Sequence, residues 1–99
     1  MRVFHATHKR NLASVKRLGL LAKLATGKRI AVWGVVGRNA DGAIDHVRRK
    51  RGVAYRDILV VSWDADPKDV RRFSVKGMVW FPFDIPSQSI KVVDNPFAL

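Results

Sequence analysis

Ninety-nine residues, 47% of them hydrophobic, suffice for one domain with a single core, and that content argues against disorder. The chain has no cysteine, which excludes disulfides, thiolate metal ligands and thiol nucleophiles. Its formal charge is +11, from 19 Lys and Arg against eight acids, and a balance this basic favours an anionic partner, either nucleic acid or a phosphorylated ligand.

The excess charge is uneven. Residues 1–56 carry fourteen Lys or Arg against Asp41 and Asp45, a net of +12, whereas residues 57–99 carry five against six. The positive potential therefore belongs to the N-terminal half. All the acids are Asp, so any mechanism that requires a glutamate is closed to this chain. Lys9, Arg10, Lys16 and Arg17 interrupt the apolar start, so no secretory leader is expected. The apolar runs fall well short of the roughly 20 residues a membrane helix needs. A cytoplasmic protein without a membrane partner is the expectation.

In chain order, the first expected element is a strand over residues 2–6, where Val3 and Phe4 open a weak alternation. Asn11 then reads as the cap of a two-turn helix over 11–18, with Leu12 and Val15 on one face. Gly19 suits the left-handed position past its end, and Leu20 the apolar contact back onto it. Residues 21–29 mix small and basic side chains and signal no clear element. The run 30–36, β-branched around Trp33, reads as a buried strand. Gly37, Arg38 and Asn39 break the chain before a second helix over 40–51. There Ala40, Ala43, Ile44 and Val47 fall at i, i+3, i+4 and i+7, and Gly52 closes the helix. Residues 58–63 form the clearest strand. Asp66 can cap a short turn with Pro67 in its first position. Strands over 72–75 and 78–83 meet at Lys76 and Gly77, with Pro82 and Pro86 confining the later part to an edge or a bend. A short strand over 90–93 completes the order. Helices early and strands late predict an α+β fold. The expectation is a small single domain over 1–99, with a mixed or antiparallel sheet of about six strands and two short helices.

Three constellations bear on function. Arg48, Arg49, Lys50 and Arg51 end the second helix, where four consecutive cations can contact phosphates or simply complement the helix dipole from a solvated face. The rings of Trp33, Trp63, Trp80, Phe73, Phe81 and Phe83 stand among cations and can stack on bases. Within strands such rings are more often core, and Trp33 and Trp63 read so first. Trp80 and Phe81 are adjacent, so one of them faces each side of the sheet. The third constellation is His5-Ala6-Thr7. At i and i+2 near a strand end, His5 and Thr7 project to the same side. A helix close behind them offers backbone N–H groups to an anion, and Lys9 and Arg10 add charge. This corner reads either as a nucleotide pocket or as a histidine satisfied by neighbouring backbone. Gly27-Lys28-Arg29 lacks the upstream glycine and the Ser/Thr of a phosphate-binding loop. No serine sits on a glycine-flanked elbow. His5, His8 and His46 are the only imidazoles, no carboxylate stands near the first two in sequence, and no metal is expected.

The stretch FHATHKRNLASVKRLGL resembles the opening of ADP-ribosyltransferase-like domains, the RNA 2′-phosphotransferases among them. Those folds begin with a strand ending in a His-x-Thr-like motif, followed by a short helix that closes on Gly-Leu, here Leu18-Gly19-Leu20. Ile30-Ala31-Val32-Trp33 is similar to the next strand of such domains, and Ala43-Ile44-Asp45-His46 to the helix after it. Ile85-Pro86-Ser87-Gln88-Ser89-Ile90 resembles the Ile-Pro turn that precedes their last strand. The resemblance implies that His5 and Thr7 contact the adenosine ribose and the nicotinamide side of NAD, and that Trp33 or its neighbours belong to the pocket floor. It makes His5 and Arg10 the catalytic candidates, with Arg10 supplying charge to a phosphate. Lys9, Lys28, Arg29, Arg48, Arg49, Lys50 and Arg51 are the candidate contacts to nucleic acid. The chain departs from the family at one important position. The family's glutamate precedes the Ile-Pro turn, where this chain has Val75-Lys76-Gly77-Met78. The usual stabiliser of an oxocarbenium-like transition state is therefore missing. Two expectations result: a 2′-phosphoryl type of transferase relying on His and Arg, or a domain that binds a nucleotide or nucleic acid without turning it over. The phosphotransferase branch carries an extra N-terminal lobe, for which 99 residues leave no room. The competing reading is a small basic nucleic-acid-binding module with no enzymatic role.

Overall fold

The computed structural model describes residues 1–24, 30–73 and 77–95. Its elements are β1 (Arg2–His8), α1 (Leu12–Leu18), β2 (Val32–Val36), α2 (Asp41–Arg51), β3 (Ile58–Asp64), β4 (Arg71–Arg72), β5 (Met78–Phe81) and β6 (Lys91–Val93). The six strands form one sheet in the order β4-β5-β2-β1-β3-β6. Every neighbouring pair is antiparallel. The fold is α+β, and of the two sheet types expected it is the antiparallel one.

Both faces of the sheet are covered where β1 and β3 lie. On one face Val3, Val61, Trp63, Val79 and Phe81 pack with Val15 of α1, with Leu20 and with Ile85. On the other, Phe4, Ile58 and Val60 meet Ala43, Ile44 and Val47 of α2 together with Ala40. The α2 stripe read from sequence is thus the buried stripe. β3 is buried from Ile58 through Trp63, because a strand covered on both faces has no solvent side to make polar. Among the described residues no helix is long and apolar enough to cross a membrane.

Several boundaries shift for physical reasons. β1 runs on to His8 because β3 keeps pairing with it, from Arg2↔Asp64 to His8↔Ile58. β2 begins at Val32, not at residue 30, and Ile30 is 75% exposed. β5 stops at Phe81, ahead of Pro82, which has no N–H to give a ladder. β4 is only Arg71–Arg72; the rest of the strand expected over 72–75 lies outside the described residues, apart from Phe73.

Asn11 does not cap α1. A 3-10 turn, Lys9–Asn11, separates β1 from the helix, and its cap is His8, whose Nδ1 accepts the Arg10 N–H at 3.0 Å. Asn11 already has near-helical backbone, with φ −85° and ψ 1°, not the extended geometry that a cap needs. Its amide donates to Thr7 Oγ1 at 2.8 Å instead. The expected helix ends hold. Gly19 has φ +77°, and a Cβ there would collide with the Ile85 carbonyl oxygen. Leu20 and Ile85 exchange backbone hydrogen bonds of 3.0 and 2.9 Å. At α2, Asn39 Oδ1 accepts the Asp41 N–H at 3.0 Å, and Gly52 is left-handed at φ 64°. Asp66 caps the turn Pro67–Asp69 through the Lys68 N–H at 3.1 Å.

Candidate functional site: a fork between two strands

β1 is paired with β3 along its whole length, but with β2 only at Val3↔Val36 and Phe4↔Val35. Beyond Phe4 the two strands part. At the base of the opening stands Gly34, where a Cβ would collide with the Val3 side chain and lie 3.1 Å from the Phe4 carbonyl oxygen. Only glycine lets β1 and β2 come this close, so the fork has a tight vertex.

His5 bridges the opening. Its Nδ1 lies 2.7 Å from the Trp33 carbonyl oxygen. A carbonyl oxygen only accepts, so Nδ1 carries the proton and Nε2 keeps a lone pair. Burial of the ring holds its pKa below the ordinary 6.5, against the opposing effect of the Trp33 hydrogen bond; the charges of Arg51 and His46 push it down further. His5 is therefore neutral at neutral pH, with one nitrogen fixed by backbone and the other an acceptor. His46 of α2 is also shifted down, first by burial and then by Lys50, Arg49 and Arg51, with Asp45 opposing.

Thr7 lies on the same side of β1 as His5, as expected. Their β3 partners Val61 and Leu59 belong to one core cluster. Thr7 Oγ1 accepts from Asn11, which leaves its hydroxyl hydrogen to donate elsewhere.

The basic candidates are not brought together. Arg10 is exposed on the 3-10 turn, and among the described residues its guanidinium joins no ion pair or hydrogen bond with His5. The anion seat expected behind the strand is filled from within, because the Arg10 N–H goes to His8 and the Leu12 N–H to the Lys9 carbonyl. Lys9 Nζ sits 3.1 Å from Asp57 and holds that carboxyl below its ordinary range. Arg48 lies over the Tyr55 ring at 4.6 Å. Arg49 pairs with Asp45 one turn back at 2.8 Å. Lys50 and Arg51 are exposed at the helix end, and Arg51 is near enough to act on His5. Lys28 and Arg29 lie outside the described residues.

Trp33 is not core. It is half-buried on the α2 side of the sheet, edge-on to Phe73 at 5.4 Å between centroids and 6.5 Å from Trp80. Its Nε1 is enclosed and has no hydrogen-bond partner among the described residues. Trp63 is core, 4% exposed. Trp80 and Phe81 divide between the faces as expected, with Phe81 buried and Trp80 half-buried. Sequence reading missed the grouping of Phe73, Trp80 and Trp33, since it depends on cross-strand register. It also missed His46 as a neighbour of His5, although the helix motif that ends on His46 was the available signal.

A separate depression of about 140 Å³ lies at the opposite end of β1, walled by Asp64, Asp66, Asp69, Phe81 and Phe83. Among the described residues no three His or Asp side chains converge as a metal site. A scan against protein-family models finds no match to the chain, and a search of curated proteins likewise finds none.

Proposed function

We propose that this chain is a nucleotide-binding domain of the ADP-ribosyltransferase-like kind, which takes NAD at the β1–β2 fork. The observation that carries the reading is the His5–Trp33 hydrogen bond. These two residues, 28 apart in sequence, are the ones the resemblance assigns to a single pocket, and they meet across the opening. The donor set suits the ligand. His5 Nε2 accepts from a ribose hydroxyl and the Thr7 hydroxyl donates to a ligand oxygen, while Trp33 contributes its backbone carbonyl to the opening and keeps its ring on the α2 side. Arg51 and Lys50 at the end of α2 favour the pyrophosphate charge.

NAD supplies a ribose–nicotinamide bond as its reactive part. This chain has no glutamate to stabilise the charge that develops when the bond breaks, and Arg10 makes no contact with His5 that would couple the two. The function proposed is therefore binding, without turnover.

Thermal melting tests the reading. NAD should raise the wild-type melting temperature progressively, by an amount worth about 2.7 kcal/mol at a hundredfold excess over Kd. His5→Ala should remove that response. No rise with millimolar NAD, or an equal rise in the variant, overturns it.

A further inference from the structure

The α2 helix packs chiefly on β1, β2 and β3, and among the described residues the apolar cluster beneath it includes none from β4 or β5. Beyond it, the same face of the sheet displays aromatic rings. Trp33 and Trp80 are direct cross-strand partners, and Arg71 is paired with Trp80 from the edge strand. Phe73 follows β4, 44% exposed, with its ring against Trp33. Two borders of this shelf are cationic. On the β1 side lies the end of α2 with exposed Lys50 and Arg51; on the outer side lies exposed Arg71, directly opposite Trp80. Asp64, Asp66 and Asp69 gather at the far end of β1, where the other depression lies.

We infer that this shelf is a binding surface for single-stranded nucleic acid. Three rings spread over adjacent strands exceed what one base can cover. Rings flanked by cations match a strand whose unpaired bases stack while its phosphates reach outward. A duplex keeps its bases stacked inside and can meet only the cations. An apolar protein partner would gain nothing from the two basic borders, whereas a polyanion complements the charge of +11. The surface differs from the one the sequence suggested. The cations of α2 form only one border of it, and Arg49 is engaged with Asp45. Phe73 and Arg71 stand outside the His5 fork, whereas Lys50 and Arg51 border both, so the shelf adjoins the proposed NAD site without being part of it.

Fluorescence anisotropy tests it, with a labelled twelve-nucleotide pyrimidine single strand and its duplex, each at two salt concentrations. The single strand should bind more tightly than the duplex, with affinity falling as salt rises. Phe73→Ala should weaken single-strand binding about tenfold, and Arg71→Ala should reduce the salt dependence. His5→Gln should leave binding unchanged, while removing any response to NAD. Both substitutions on the shelf are at exposed positions, and circular dichroism checks that they fold. Equal affinity for strand and duplex with no effect of Phe73→Ala would overturn the inference in favour of phosphate contact by α2 alone. Absence of binding at low salt would overturn it outright.

Discussion

The two flanks of β1 differ in kind. Toward β3 every residue from Arg2 to His8 is in register, and the β3 side chains from Ile58 to Trp63 are buried on both faces, all but Ser62 apolar. Toward β2 the register lasts two residues, and then a histidine enters the gap. A buried carbonyl without a partner is costly. The Trp33 carbonyl faces the opening, and His5 Nδ1–H supplies the donor that a continued ladder would have given. The closed flank fixes where β1 sits. The open flank uses that fixed strand to hold an imidazole with a free acceptor nitrogen.

The contrast can be broken from the closed side first. Phe4 is 3% exposed in the last residue pair before the fork. Phe4→Ala should cost about 3–5 kcal/mol in urea unfolding, the largest effect expected. Gly34→Ala acts at the vertex itself. Its new methyl must displace Val3 or spread the strands, so a loss of about 1–3 kcal/mol is expected, together with a weaker NAD response.

The open flank should show itself through pH. The folded-state pKa of His5 lies below 6.5, so the unfolded chain takes up its proton first as pH falls. Stability from this group is complete above about pH 6.5 and is lost as pH drops through the folded value. His46 acts in the same direction. His5→Gln should flatten part of this decline in urea midpoints measured between pH 7 and 5, and a decline of unchanged steepness would contradict the assignment. The smallest effect belongs to the exposed pair Arg49–Asp45. Arg49→Ala should change stability by no more than about 0.5 kcal/mol.

What the sequence made legible was local. The α2 stripe, the Gly19 and Gly52 stops, the Asp66 cap and the β3 run are all written in neighbouring residues. Their physics (periodicity, positive φ, side-chain capping) acts over a few positions. Asn11 misled because the cap's role passed to His8 when a 3-10 turn was inserted. Ile30 misled because a β-branched residue favours a strand but cannot by itself recruit a partner. At the site, His5 and Thr7 were visible as a pair on one strand. That His5 bonds Trp33, that Phe73 reaches the same ring, and that Lys9 is drawn to Asp57 all depend on contacts across dozens of residues. No local pattern encodes those.

The indole signals of ¹⁵N-labelled protein test the central claim most directly. The chain has three tryptophans: Trp33 by the fork, Trp80 beside it, and Trp63, whose ring lies against Gly34 at the vertex on the other face. Titration with NAD should saturably move the resonances of the two indoles that border the fork, Trp33 and Trp63, the first assigned with Trp33→Phe. The shift should vanish in His5→Gln. A spectrum unchanged by NAD, or one in which neither Trp33 nor Trp63 responds, would contradict a nucleotide site at the fork.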